Sequence, residues 1–456
     1  MRVNCNISAI IANNQLGKGQ KAANNAIERL SSGLKINHAE DDAAGLAIAK
    51  KMHTQIKALK KANENGSAGV SVVQTAESAL NELESMLQRA RELAVQAGSD
   101  AYSGEDKDAI REELKKINDE IDRISTDTEY NTMPLLDGTL SRRVYPDVDG
   151  VDVISTTSGV LAKKYEISLA APATQAAITC TDFAGTVTEQ QAGFMKINDA
   201  LIEVAEGDTF DDVYAKLHEG CLRANVAMDG TATPITFTNQ NYGSGEELVI
   251  KFSNPDTAAL FGLAQEQTAA GTDCQINLGA GFSSTAKATA EGQWVAIKDI
   301  NNFEMKIEIT DEMPVGVPCN LNVTDIGTMG IQIGANQGQQ LIIDIPKINS
   351  HVLGMDQVNL GTSKCATESI TKIDKAIELV SSARTNLGAY QNRLESSISS
   401  LEAYEENITS ALSSVEDCDM AEEMTEYTSR NVVSQAATSV LAQANERPQT
   451  VLQLLQ

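Results

Sequence analysis

ITKIDKAIELVSSARTNLGAYQNRLESSISSLEAYEENITSALSSV, residues 370–415, places Ile370, Ile373, Ile377, Val380, Arg384, Leu387, Gln391, Leu394, Ile398, Leu401, Glu405, Ile408, Leu412 and Val415 at alternating steps of three and four. Eleven of these fourteen positions are apolar. A stripe of that period is the seam of a coiled-coil helix. At 1.5 Å per residue the helix would be about 68 Å long. Arg384, Gln391 and Glu405 interrupt the seam. Either they pair with a partner helix and set its register, or local drift turns them to solvent.

The N-terminal third supplies a matching stripe. Val73, Ala76, Leu80, Leu83, Leu87, Ala90 and Ala94 keep the same spacing, and Leu46, Met52, Ile56 and Leu59 extend it upstream. Gly98 ends that helix. Ser103-Gly-Glu-Asp106 reads as a capping box, and Ile110, Leu114, Ile117, Ile121 and Ile124 form a third stripe. Together these predict an antiparallel helical bundle. The extreme ends differ. Residues 4–34 carry Ile7, Ile10, Ile11, Ile27, Leu30 and Leu34 on an Asn/Ala/Gln background. Residues 420–456 carry Met424, Tyr427, Val432, Val433, Val440, Leu441 and Leu455. Alone, each is a weak helix with little to bury, suited to fold against a partner.

Prolines separate these ends from the middle. Eight of nine lie between Pro134 and Pro346; the ninth, Pro448, predicts a break before Val451–Gln456. Proline costs about 3 kcal/mol inside a helix. Residues 141–325 read as β-rich: short Val/Ile/Thr/Phe runs such as Leu248–Phe252 and Met305–Thr310 are bounded by Gly, Asp, Asn and Pro. Thr209–Leu222 looks helical after the turn Glu206-Gly-Asp208. Gly330–Ile345 reads as a hairpin turning at Ala335–Gly338. The predicted class is α+β: discontinuous terminal helical coiled-coil and bundle domains with an inserted β-rich domain.

The net charge of −27 argues against a phosphate-backbone partner, so no nucleic acid is expected. No apolar run approaches the ~20 residues of a membrane span, and the N-terminus shows no cleavable signal pattern. The seven cysteines, Cys5, Cys180, Cys221, Cys274, Cys319, Cys365 and Cys418, form no CxxC pair. They are neither a disulfide framework nor a zinc site and are expected to be mostly buried free thiols. Catalytic signals are thin. His218-Glu219 begins a zincin-like pattern, but Leu222 stands where the second histidine is needed. Asp147-Val-Asp149-Gly-Val-Asp152 lacks the later Glu of a calcium loop. Gly17-Lys-Gly19 has no phosphate-loop spacing. Among the histidines His38, His53, His218 and His351, none sits in a ligand or nucleophile motif. No enzyme activity, cofactor or metal is expected.

Glu28-Arg-Leu-Ser-Ser-Gly-Leu-Lys-Ile-Asn37, Asp41-Asp-Ala-Ala-Gly-Leu-Ala-Ile-Ala49 and Leu87-Gln-Arg-Ala-Arg-Glu-Leu-Ala-Val-Gln96 resemble the N-terminal motifs of bacterial flagellins. Leu387-Gly-Ala-Tyr-Gln-Asn-Arg-Leu394 and Ala437–Asn445 resemble the C-terminal ones. The resemblance covers about residues 1–140 and 326–456. It implies a self-polymerising filament subunit for motility, with residues 1–42 and 417–456 forming a filament-core coiled coil. Residues 43–140 and 326–416 would form a bundle with a β-hairpin, and 141–325 a surface insertion. Within the insertion, Met195–Val204 through Val249 is similar to the IN-type repeat of flagellin and hook-associated insertions.

The resemblance also implies export without a cleaved signal, an export chaperone, a filament cap and an extracellular filament. Packing in the core would fall to Ile7, Ile10, Ile11, Ile27, Leu30, Leu34, Val432, Val433, Val440, Leu441 and Leu455. In flagellins that trigger Toll-like receptor 5, the matching receptor-binding positions are Arg89, Leu93 and Glu113. Leu93 lies one step off the Ala90/Ala94 seam, so partial exposure is expected; Arg89 and Glu113 could equally bind neighbouring subunits. The alternatives are a hook–filament junction protein, or a filament subunit whose insertion is a glycan-binding or enzymatic domain. The chain departs from the family pattern in its seven cysteines, in Ser67-Ala-Gly69 where many relatives have Asn-Asp-Gly, and in placing the insertion before the hairpin.

Overall fold

The computed structural model describes residues 6–157, 159–180, 186–229, 234–300, 303–324 and 326–453, with side chains through Glu446. Among the described residues seven α-helices form: α1 (Ile7–Ser32), α2 (Ala43–Ala97), α3 (Gly104–Asp127), α4 (Phe210–Arg223), α5 (Pro255–Leu260), α6 (Ser363–Glu416) and α7 (Met420–Gln453). The chain divides into two compact units. One holds Met1–Ser67, Gln332–Gln340 and Glu395–Gln456; the other holds Ala68–Ile331 and Leu341–Leu394. Helices α2 and α6 contribute to both.

Within the larger unit the predicted seam is realised. Val73, Ala76, Leu80, Leu83, Leu87, Ala90 and Ala94 are all fully buried, as are Ile373, Val380, Leu387 and Leu394 on α6. Arg384 lies between two carboxylates of α2: Nη2 meets Glu77 at 2.7 Å and Nη1 meets Glu84. In the smaller unit Glu405 meets Lys60 at 3.6 Å. Arg384 and Glu405 therefore pair with the partner helix rather than drift to solvent. Ser67-Ala-Gly69 makes no turn; it lies inside α2. A Cβ on Gly69 would collide with the Ile331 side chain, so the missing side chain lets the hairpin (Met329–Gln332 with Gln340–Ile343) lie close on the helix.

Helix α3 starts at the predicted capping box. The Ser103 hydroxyl accepts from Asp106 N–H, and the Asp106 carboxylate accepts from Ser103 N–H at 3.0 Å. The same device opens α4 with Thr209 and Asp212. Both carboxylates are held below their usual range, first by the capping hydroxyl and then by the backbone N–H.

The β-rich middle holds two separate hydrophobic cores, the chain segment of one inserted between the segments of the other. The inner core packs α4 with two sheets, Gln175–Cys180/Ile235–Tyr242/Val226–Asp229 and Glu266–Ala270/Glu247–Phe252/Gly193–Ile197/Ala200–Val204. It buries Ile178, Met195, Ile202, Leu217, Phe237 and Phe261. Within it, Asn198 and Asp199 take φ of +44° and +69° in a two-residue turn that joins Ile197 to Ala200, the primed geometry that matches strand twist.

The outer core is built from strands on both sides of that segment. Its sheets are Gln275–Leu278/Lys164–Ala171/Pro318–Val323/Val144–Pro146 and Lys287–Glu291/Trp294–Asp299/Phe303–Ile309/Val151–Thr156. Tyr165, Ile167, Val295, Ile307 and Leu321 fill it.

Helix α7 does not break at Pro448 but continues to Gln453. Proline lacks the N–H that would bond the carbonyl four residues earlier, which belongs to Ala444. That carbonyl accepts instead from Asn6 Nδ2 at 2.8 Å. A residue 438 positions away supplies the missing donor.

Candidate functional site

The terminal helices carry the most unusual surface of the smaller unit. Helix α1 packs along α7, and the α1 residues it buries are small: Ala23 at 8% exposure and Ala26 at 2%. Asn6 fixes one end of the pair. Its Oδ1 accepts from Ala9 N–H at 3.1 Å to cap α1, while its Nδ2 reaches Ala444. Ser434 Oγ meets Gln20 Oε1 at 3.5 Å midway, and Arg29 faces Glu423 at 3.9 Å at the other end.

Because alanines occupy the contact, the large apolar side chains stay outside. Ile7, Ile10, Ile11, Ile27, Met420, Met424, Val432, Val433 and Val440 are all exposed, from 46% at Ile27 to 63% at Ile11. Leu30, Leu34 and Leu441 are half-buried. Leu455 and Cys5 lie outside the described residues. Exposed apolar side chains gathered on one element pair are the kind of surface that interaction sites use.

The two connectors at the base of these helices bond to each other. Leu34 bridges Asp417; Lys35 N–H donates to Glu416 O at 2.6 Å and Cys418 N–H to Gly33 O at 2.9 Å. His53 Nε2 lies 2.8 Å from the buried carboxylate of Glu416. The large apolar residues of both ends stand out in the sequence, whereas Asn6, Gln20, Ala23, Ala26 and Ser434 do not. The three-residue spacing of Ala23 and Ala26 is the one signal that could have found them.

In the larger unit Arg89 Nη2 pairs with Glu113 at 2.7 Å, joining α2 to α3, and Nη1 reaches Glu92 at 3.1 Å. Both partners remain about half exposed. The hydrogen bond that Arg89 donates to Glu113 raises its already high pKa, with the one to Glu92 second. Leu93 corrects the expectation of partial exposure: it is 1% exposed. Helix α2 is flanked on two sides here, by α3 through Arg89–Glu113 and by α6 through Arg91–Asp374 at 2.6 Å. It therefore buries both Leu93 and Ala94.

Reactive chemistry is sparse among the described residues. Burial pushes the Cys180 and Cys221 thiols up to about 12, and Cys274 to about 11, so they stay protonated. Asp147 accepts from Asn320 N–H at 2.6 Å and Nδ2 at 2.7 Å rather than facing a cavity. His218 lies exposed on α4. Among the described residues no group of three or more His, Cys, Asp or Glu is placed to hold a metal. None of their helices is long and apolar enough to cross a membrane.

Residues 3–141 match the bacterial flagellin N-terminal helical region, and residues 370–455 the C-terminal helical region. The chain is 33% identical to a flagellin of Salmonella rubislaw over 99% of each protein. It is 34% identical to one from Clostridium tyrobutyricum, over 98% of this chain and 100% of that one. The chain belongs to the bacterial flagellin family. A flagellin of Escherichia coli strain K12 is similar over its full span too, at 32% identity, covering 100% of this chain and 99% of that protein. The family assignment makes the chain a flagellar filament subunit, with helical ends and a β-rich centre.

Proposed function

We propose that the chain polymerises by coupled folding of its two ends, and that the exposed face of the α1–α7 pair is the contact between subunits. The observation that carries this is the inverted burial of that pair: alanines inside, nine large apolar side chains outside. Burying one Ile or Val fully gains about 1.5–3 kcal/mol, and ordering a residue costs about 1–2 kcal/mol of backbone entropy. The pair thus gains little from its own contacts and much from neighbours. Residues 1–42 with 417–456 would form the filament core, 43–140 with 326–416 the surrounding bundle, and 141–325 the displayed insertion.

The role is structural rather than enzymatic. The weak ends suit a chain exported unfolded, with a chaperone, to an extracellular filament and added beneath a cap. Arg89 and Glu113 offer the half-exposed charged surface that Toll-like receptor 5 would meet on free monomers, with Leu93 supporting it from beneath. Deleting residues 1–34 or 420–456 is expected to leave a soluble monomer. Electron microscopy checks this, and filaments of normal length from either deletion would overturn it.

A further inference from the structure

The larger unit contains a histidine whose two ring nitrogens both face carboxylates. His351 Nδ1 lies 2.8 Å from Asp356 Oδ2, and Nε2 lies 2.8 Å from Glu308 Oε2. The three residues come from two parts of the chain. Glu308 sits on the insertion strand Phe303–Ile309, while His351 and Asp356 belong to the segment that leads into α6. Trp294, opposite Glu308 in register, donates from Nε1 to Glu308 Oε1 at 3.3 Å. Its ring meets the imidazole edge-on, with centroids 6.0 Å apart. Gly354, at φ +71°, brings the loop against that ring; a Cβ there would lie 3.4 Å from it. The loop is itself anchored to α3, because Asp122 accepts from Ser350 N–H at 2.8 Å and from its hydroxyl at 2.7 Å.

We propose that His351 is a proton-operated latch, holding the β-rich insertion to the loop ahead of α6 when charged and releasing that contact when neutral. A neutral imidazole donates from one nitrogen and carries a lone pair on the other. With a carboxylate at each nitrogen, only the imidazolium satisfies both; the neutral ring turns a lone pair toward an anion. The charged groups facing the ring are Glu308, from the insertion strand, and Asp356, from its own loop. Asp122 of α3 is engaged by Ser350, and Trp294 is uncharged.

Other charged pairs tie the insertion to neighbouring helices: Lys372–Glu246 at 2.6 Å and Lys375–Glu291 at 2.5 Å to α6, and Arg223–Asp108 at 3.2 Å to α3. All pair Lys or Arg with a carboxylate. Histidine is the side chain whose unperturbed pKa puts its charge change near neutrality. Burial on its own would lower the His351 pKa, but hydrogen bonds to Asp356 and Glu308, and their charges, outweigh it and raise the value above the ordinary 6.5. The latch contribution is therefore present in full below about 6.5 and is lost as pH climbs through the raised folded value. Because the Lys and Arg pairs persist, release loosens this edge without detaching the insertion.

Trp294 is the chain's only tryptophan and touches the switching group, so it reports the state directly. The full chain as soluble monomer is titrated from pH 5 to 9 while its fluorescence is followed. An imidazolium beside the indole quenches it, so emission is expected to rise with pH in one step whose midpoint lies above that of a free histidine. H351Q is expected to remove the step, and D356N to lower its midpoint. Helical circular dichroism identifies any variant that fails to fold; if H351Q fails, the midpoint shift in D356N decides. A flat wild-type titration, a step that survives in folded H351Q, or an unshifted midpoint in D356N would overturn the proposal.

Discussion

The α2–α6 pair and the α1–α7 pair are both long antiparallel helix pairs from opposite ends of the chain, yet they bury opposite things. Along α2 the seam from Val73 to Ala94 is fully enclosed, and its polar interruptions are answered across the interface, as Arg384 is by Glu77 and Glu84. Along α1 the enclosed residues are Ala23 and Ala26, while Ile7, Ile10 and Ile11 face out. The first pair has found its partners within the chain. The second uses small residues for its own contact and leaves its large apolar ones exposed, the surface proposed to meet neighbours. Similar amphipathic composition therefore does two jobs, decided by which residue sizes occupy the internal seam.

The largest expected effect lies in the completed pair. Leu87→Ala removes a fully buried side chain at the seam and should destabilise the monomer by about 3–5 kcal/mol, read by chemical denaturation of the soluble chain. A loss below about 1 kcal/mol would mean the seam is not packed as described. Arg384→Ala should cost less, about 1–2 kcal/mol. The pair is part-exposed, between surface pairs at about 0–1 and buried pairs broken at about 3–5. Replacing Glu77 and Glu84 by Gln in the same background should recover part of that loss. Asn6→Ala is smaller again. Losing a cap and one carbonyl partner should cost about 1 kcal/mol, and hydrogen exchange should quicken at both ends it joins, near Ala9 and around Ala444. Protection unchanged around Ala444 would show that the Pro448 gap is filled another way.

Much of the helical scaffold was legible because its cues are local. The three-four stripe, Gly98, the Ser103 cap and the turn at Glu206-Gly-Asp208 each act within a few residues. What escaped depended on distance along the chain. Leu93 is buried because α2 is flanked by two helices, which a single stripe does not reveal. Pro448 is tolerated because Asn6 supplies the donor, a pairing with no local trace. The insertion read as one β-rich stretch, yet its strands sort into two cores by pairings such as Ile309 with Val151. On the terminal helices the large apolar residues stood out, but their outward orientation did not. Period alone fails to say which of two apolar sets, alanines or isoleucines, takes the inside.

The difference between the two pairs is tested most directly by replacing Ile7, Ile11, Val433 and Val440 together with serine. Monomer unfolding and polymerisation are then measured on the same preparation. Because these residues are exposed in the single chain, each substitution should change monomer stability by no more than about 0.5 kcal/mol. Sedimentation and electron microscopy should show that filaments no longer form. Filaments of normal length from that variant would contradict the account, as would a monomer that loses stability on the scale of Leu87→Ala.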